Sequence, residues 1–121
     1  MSKSILIKPG TVFKEINEHT IEFFLALMFC CNKFGRSYTI TSANDGQHCK
    51  ESYHYKNMAW DIRLKNLSTV QWYELQREMV LQLPSYFDVV VENINDPDRV
   101  HLHVECDLKK LADYILGNAN G

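Results

Sequence analysis

The sequence has too few cysteines for a disulfide scaffold, and those present are not arranged as a disulfide framework. Four occur among 121 residues, two of them adjacent (Cys30 and Cys31), and none forms a Cys-x-x-Cys motif. Small disulfide scaffolds are much denser in cysteine, whereas cytosolic proteins keep their thiols reduced. The pattern therefore excludes a disulfide scaffold and predicts reduced thiols in a protein made in a cytosol.

Long hydrophobic runs are also missing. The longest apolar run, residues 21–31, is interrupted by Glu22 and is shorter than the ~20 residues needed to cross a bilayer. The first ten residues have a short apolar core and lack a small-residue cleavage site. We therefore expect no signal peptide, no membrane partner and a cytoplasmic location in the producing cell.

An excess of positive charge is absent as well. Lysine and arginine number 13 against 15 aspartate and glutamate residues, for a net charge of −2. Nucleic acids and anionic membranes bind mainly through basic surfaces, so neither is expected as a partner. The hydrophobic content of 45% is ordinary for a globular chain. Residues 1–121 are predicted to form a single domain and a monomer.

The hydrophobic pattern predicts an α+β fold with a small antiparallel sheet and flanking helices. Thr11 or Asn17 could cap the first helix, and Gly35 supplies its stop. Its predicted core stripe is Ile16, Ile21, Phe24, Leu25, Met28 and Phe29. The first half is predicted to contain a short strand before Pro9, a helix over 14–34 and strands over 38–41 and 59–64, with a loop over 42–52. The second half is predicted to contain a helix from Ser68 to Pro84, a hairpin of strands over 87–91 and 100–105, and a helix over 108–116. Residues 117–121 are predicted to be a frayed end.

Potential metal ligands are concentrated in two short segments. His54 and Asp61 lie in the first, and His101 and His103 lie in the second. Residues 101, 103 and 105 of a strand point to one face, where imidazoles and a carboxylate suit cation binding or acid–base work. Two nitrogens and one oxygen would form a zinc site with an open fourth position. A His-x-His strand alone is also often the solvated face of a sheet.

The joint order of these residues resembles the D-alanyl-D-alanine carboxypeptidase and hedgehog-like zinc peptidase family, which includes phage L-alanyl-D-glutamate endolysins. The family signature is Ser-x-His-x-x-Gly-x-Ala-x-Asp. Four residues match it in register: Ser52, His54, Ala59 and Asp61. Asn57 replaces the glycine, and asparagine tolerates a left-handed backbone better than other non-glycine residues. The resemblance covers residues 38–108 and implies a hedgehog/DD-peptidase-like fold.

The resemblance also implies roles for individual residues. Its zinc ligands are His54, Asp61 and His103. His101 would then assist catalysis by hydrogen bonding to the oxyanion or leaving group, and Glu92 would be the general base. Residues 93–100 make the following loop longer than in close relatives, which leaves Asp98 as a rival base. The acid-x-x-His spacing from Asp98 would make His101 the zinc ligand instead.

Four further residues are candidates for supporting roles. His48 lies near the expected rim of the site, where it would contact substrate or only solvent. Arg36 and Arg63 could each bind a substrate carboxylate through a bidentate fork, or form surface ion pairs. Glu105 shares the strand face of the histidines and would orient a ligand.

The expected function is a zinc-dependent peptidase that hydrolyses the stem peptides of bacterial peptidoglycan. It would act as a D,D-carboxypeptidase or as an L-alanyl-D-glutamate endopeptidase. Small size, reduced thiols and the lack of a signal peptide fit a phage-encoded enzyme that reaches the cell wall after release. The alternatives are a hedgehog-like, zinc-containing binding module without catalysis, and a metal-free protein with histidines on a solvent face.

Overall fold

A computed structural model describes residues 3–44 and 58–120, which contain five strands and three helices. In chain order these are β1 (Ile5–Ile7), α1 (Glu18–Phe34), β2 (Tyr38–Asn44), β3 (Met58–Arg63), α2 (Thr69–Gln82), β4 (Phe87–Glu92), β5 (His101–Cys106) and α3 (Leu108–Asn120). The predicted α+β class is confirmed. Strand β2 and helix α3 run further than predicted, into the stretches expected to be a loop and a frayed end.

The strands form one mixed sheet in the order β1-β2-β3-β5-β4. The prediction of a purely antiparallel sheet is wrong at one edge, because β1 pairs with β2 in parallel. Parallel neighbours need a crossover, and α1 provides it between these two strands. The remaining neighbours pair antiparallel, including the predicted hairpin of β4 and β5.

Helix α1 begins and ends at residues suited to capping. The side chain of Asn17 accepts hydrogen bonds from the backbone N–H groups of His19 and Thr20, and the Thr20 hydroxyl accepts one from the Asn17 N–H. This capping box makes Asn17, rather than Thr11, the N-cap. Gly35 ends the helix with a φ of 64°, a left-handed conformation that glycine adopts without strain.

The predicted core stripe of this helix is correct only for Phe24 and Met28, which are partly buried against the core. The side chains that face the core are Phe23, Ala26, Leu27, Cys30 and Cys31. Four members of the predicted stripe are exposed instead: Ile16, Ile21, Leu25 and Phe29. Because α1 is apolar around most of its circumference, two rows of apolar side chains at helical spacing could each face the core. The row with small alanine and cysteine side chains packs against the rest of the core.

Alternation along β3 and β5 separates a core face from a second face. Trp60 is 1% exposed and stacks on Phe23 with ring centroids 4.5 Å apart, so its side chain belongs to the core. On β5, Leu102 and Val104 are buried, whereas His101, His103 and Glu105 are only partly buried. These three residues therefore share the opposite face, here called the site face.

Strand register sets the neighbours on the site face. Asp61 pairs directly with His103, and Arg63 with His101, across β3 and β5. On the other side of β5, Glu92 pairs with His101. Residues 93–100 close this hairpin, beginning with Asn93 at a φ of 60°. Across residues 3–44 and 58–120, none of the helices is both long and apolar enough to cross a membrane.

Candidate metal centre

Asp61, His101 and His103 come together on the site face. One potential ligand atom from each lies within 4.8 Å of the other two. The three side chains are about one-fifth to one-quarter exposed, so they are accessible from solvent but shielded on most sides. The antiparallel register of β3 and β5 produces this cluster, since it joins residues 40 or more positions apart in the chain.

His103 lies between two carboxylates. Its Nδ1 is 2.9 Å from Asp61 Oδ1, and its Nε2 is 3.0 Å from Glu105 Oε1. The hydrogen bond to Asp61 raises the pKa of His103 to about 9, with a further contribution from Glu105 and against the effect of partial burial. In the metal-free protein at neutral pH, both ring nitrogens therefore carry protons and donate to the carboxylates.

His101 is held by a backbone carbonyl. Its Nδ1 is 2.8 Å from the Arg99 carbonyl oxygen, which can only accept, so Nδ1 carries a proton and donates it. Its Nε2 lies 2.9 Å from Glu92 Oε1 and 3.6 Å from Asp61 Oδ1. A nitrogen lone pair facing two carboxylates is unfavourable unless a cation, either a proton or a metal ion, lies between them.

The donor set fits a zinc ion. Two imidazole nitrogens and one carboxylate oxygen are typical zinc ligands, whereas calcium and magnesium prefer oxygen alone. Zinc–ligand bonds of ~2.0–2.1 Å place tetrahedral ligand atoms roughly 3.4 Å apart. The three candidate ligand atoms lie within 4.8 Å of one another.

The remaining predicted residues divide into four groups. The β4–β5 register brings Glu92 into contact with His101, whereas Glu105 contacts His103 because it lies two positions further along the same strand. Asp98 and Arg63 line a cleft that begins at the cluster. Two other predicted site residues, His48 and His54, lie outside the described residues, as do Ser52 and Asn57. Arg36 is not among the residues that line the cleft.

The cleft has a volume of about 340 Å³ and is lined by Asp61 and His101 together with several cationic side chains. We call it the basic cleft; its cationic residues are Lys8, Arg63, Lys65 and Arg99. The sequence pattern suggested only Arg63 among them. Lys65 could have been noticed two positions after Arg63, beyond the end of β3. Lys8 could not, because β1 reaches this region only through its pairing with β2.

Comparison of the chain with family models, with curated proteins and with solved structures finds no match. The resemblance of the sequence to the zinc peptidase family therefore remains a prediction. The chemistry of the site must be inferred from its own side chains.

Proposed function

We propose that the protein is a zinc-dependent peptidase that hydrolyses stem peptides of bacterial peptidoglycan and is encoded by a phage. The observation that carries this proposal is the cluster of Asp61, His101 and His103, with the Glu92 carboxylate hydrogen-bonded to His101. Metallopeptidases usually combine a metal centre with an adjacent carboxylate at the edge of a cleft. The matched signature residues give the substrate class.

Asp61 would hold the metal in every assignment, and His103 would do so in all but the acid-x-x-His alternative, in which His101 takes its place. The third protein ligand is His101 if the cluster is complete, or His54 if the sequence signature decides. A bound zinc ion supplies Lewis-acid activation of a water molecule and of the scissile carbonyl. The zinc content of a His101→Gln variant distinguishes the assignments, because only a ligand is needed for stoichiometric binding.

Glu92 is the proposed general base. Its carboxylate is 2.9 Å from His101 Nε2, and its side chain is 45% exposed, so water can reach it. A carboxylate in this position takes a proton from the attacking water and later delivers it to the leaving amine. Asp98 remains the rival, since it lies on the hairpin turn and lines the same cleft.

One observation favours the alternative of a binding module without catalysis. Glu92 is paired with His101, and a carboxylate engaged with an imidazole is less free to accept a proton from water. A domain that uses the metal only to organise a binding surface would not need to free the Glu92 carboxylate from His101. The variants below separate the two functions.

The test compares Glu92→Gln with Asp98→Asn. Glutamine keeps the shape of glutamate but cannot accept the proton, so turnover should fall ~10²–10⁴-fold. Zinc content should stay near wild type, since Glu92 is not a proposed ligand. Asp98→Asn should change turnover little. The measurements are zinc per chain by elemental analysis and mass spectrometry of fragments released from purified peptidoglycan.

Other outcomes reassign the site. An inactive Asp98→Asn beside an active Glu92→Gln would make Asp98 the base and His101 the ligand. Retained zinc with no hydrolysis by the wild type would favour the binding module. A wild-type chain that cleaves peptidoglycan without any metal would overturn the metallopeptidase proposal.

A further inference from the structure

The basic cleft gathers cations from three separate parts of the fold. Lys8 follows β1, Arg63 and Lys65 lie at the end of β3, and Arg99 lies on the turn between β4 and β5. Among the described residues, two carboxylates line the same space, those of Asp61 and Asp98. On a chain with a net charge of −2, this local excess of positive charge is not explained by overall composition.

Most of these cations have no partner within the cleft. Arg99 pairs with Asp96 at 3.7 Å, and Asp61 is engaged by the two histidines. Among the residues that the structure describes, no carboxylate forms an ion pair with Lys8, Arg63 or Lys65. Arg63 is partly buried, so its guanidinium loses hydration without gaining an acceptor from residues 3–44 or 58–120. An external anion would relieve both this loss and the mutual repulsion.

Arg63 is placed where it can act together with the metal centre. It lies two positions after Asp61 on the same face of β3, which separates their Cα atoms by roughly 6.6 Å. It also pairs in register with His101. A group bound to its guanidinium would thus lie about one or two residues of extended peptide from the cluster.

We propose that the basic cleft is a subsite for an acidic peptide with two carboxylates. Arg63 binds the carboxylate nearer the metal centre through its fork, and Lys8 and Lys65 bind the other at the rim. A single carboxylate would need only Arg63, so three unpaired cations favour two negative charges. The identity of the ligand as a substrate rests on the proposed peptidase function, whereas the binding of the carboxylates does not.

The binding test uses the full chain without added metal, so that carboxylates cannot bind to zinc. The probe is glutarate, and glutaramide is its uncharged counterpart. Glutarate should bind in a calorimetric or NMR titration, and its affinity should fall as salt is raised. Arg63→Gln should weaken binding at least tenfold. Arg63→Lys should recover only part of the affinity, because lysine keeps the charge but not the fork.

Arg77→Gln is the matched control, since Arg77 is exposed on α2 and does not line the basic cleft. It should bind glutarate like the wild type, and a combined Lys8→Gln and Lys65→Gln variant should bind it several-fold more weakly. Circular dichroism of each variant verifies folding. Equal binding of glutarate and glutaramide, or equal affinity in Arg63→Gln and wild type, would overturn the proposal.

Activity measurements keep the two proposals distinguishable. With acidic wall peptides and zinc-loaded protein, Arg63→Gln should raise KM more than it lowers kcat, as expected when binding is lost in both ground and transition states. If Arg63 binds glutarate but wall peptides are not cleaved, the cleft proposal stands and the peptidase proposal fails. If amidated peptides are cleaved as well as acidic ones, the peptidase stands and the cleft proposal fails.

Discussion

At the residue scale, each imidazole of the cluster has one nitrogen held by a fixed acceptor, and its other nitrogen is nearest to Asp61 in His103 and to Glu92 in His101. His103 donates through Nε2 to Glu105, and His101 donates through Nδ1 to the Arg99 carbonyl. Metal-binding histidines are usually oriented in this manner by a carboxylate or a backbone carbonyl. These hydrogen bonds would fix the orientation of both rings if the cluster holds a metal ion.

Glu105→Gln tests this orientation. Glutamine keeps the length of the side chain but replaces the charged acceptor, so the His103 ring is held less firmly and becomes a poorer ligand. Zinc affinity should fall ~10–100-fold, as is typical when such a supporting partner is changed. Competition titration against a zinc chelator measures the affinity.

Asp113→Asn is the control for Glu105→Gln, because Asp113 is an exposed carboxylate on α3. It should bind zinc like the wild type. Unchanged zinc affinity in Glu105→Gln would show that Glu105 does not support the ligand.

At the element scale, a polar contact joins α1 and α2 beside the apolar core. Glu78 is almost fully buried, and its carboxylate accepts hydrogen bonds of 2.8 Å from Lys33 Nζ and from Gln82 Nε2. These hydrogen bonds lower the pKa of Glu78, although burial acts in the opposite direction. The ionised Glu78 carboxylate, which Lys33 and Gln82 stabilise, therefore links α1 to α2.

The pH dependence of this contact has a definite sign. A carboxyl whose pKa is lower in the folded than in the unfolded protein stabilises the fold above its unfolded value, near 4.3, and loses that effect as the pH falls. The wild type should therefore lose stability below about pH 4.5. Glu78→Gln lacks this titration, so the difference between the two proteins should shrink in acid.

Urea unfolding of both proteins between pH 7 and pH 3 provides the measurement. A difference in urea midpoint that stays constant over this range would show that Glu78 titrates alike in the folded and unfolded chains.

At the scale of the whole molecule, one core spans the sheet and its helices and encloses three thiols. These thiols belong to Cys30, Cys31 and Cys106, which are free and buried. Burial is the main reason that the pKa of Cys30 and that of Cys106 are raised to about 12. Since the thiolate is the reactive form, these cysteines should be inert in the native protein.

Alkylation with iodoacetamide at pH 8, followed by peptide mapping, tests this prediction. The three cysteines should remain unmodified in native buffer and become fully modified in concentrated urea. Their exposure requires opening of the shared core, so labelling should follow global unfolding. Rapid labelling of Cys106 without urea would instead reveal local opening of β5.

The elements themselves follow from local patterns in the sequence. Helix ends are marked by Asn17, Ser68 and Gly35. The side chains of Asn17 and Ser68 accept hydrogen bonds from the first backbone N–H groups of a helix, and Gly35 adopts the left-handed conformation that ends one, wherever the helix packs. Alternation in residues 100–105 correctly predicts that His101 and His103 share a face. These signals are short-range, so they survive without knowledge of the tertiary structure.

Only the tertiary structure decided which groups meet on the site face. The sequence could indicate Asp61 and His103 as candidate ligands, but the contact between them depends on the β3–β5 register. The contact between Glu92 and His101 depends in the same way on the β4–β5 register. Which of the two apolar rows of α1 is buried likewise depends on how the helix packs against the rest of the core. Lys8 joins Arg63 and Lys65 through strand pairing across the sheet. Sequence patterns encode the direction of each side chain along its own element, whereas contacts between distant elements depend on how those elements pack together.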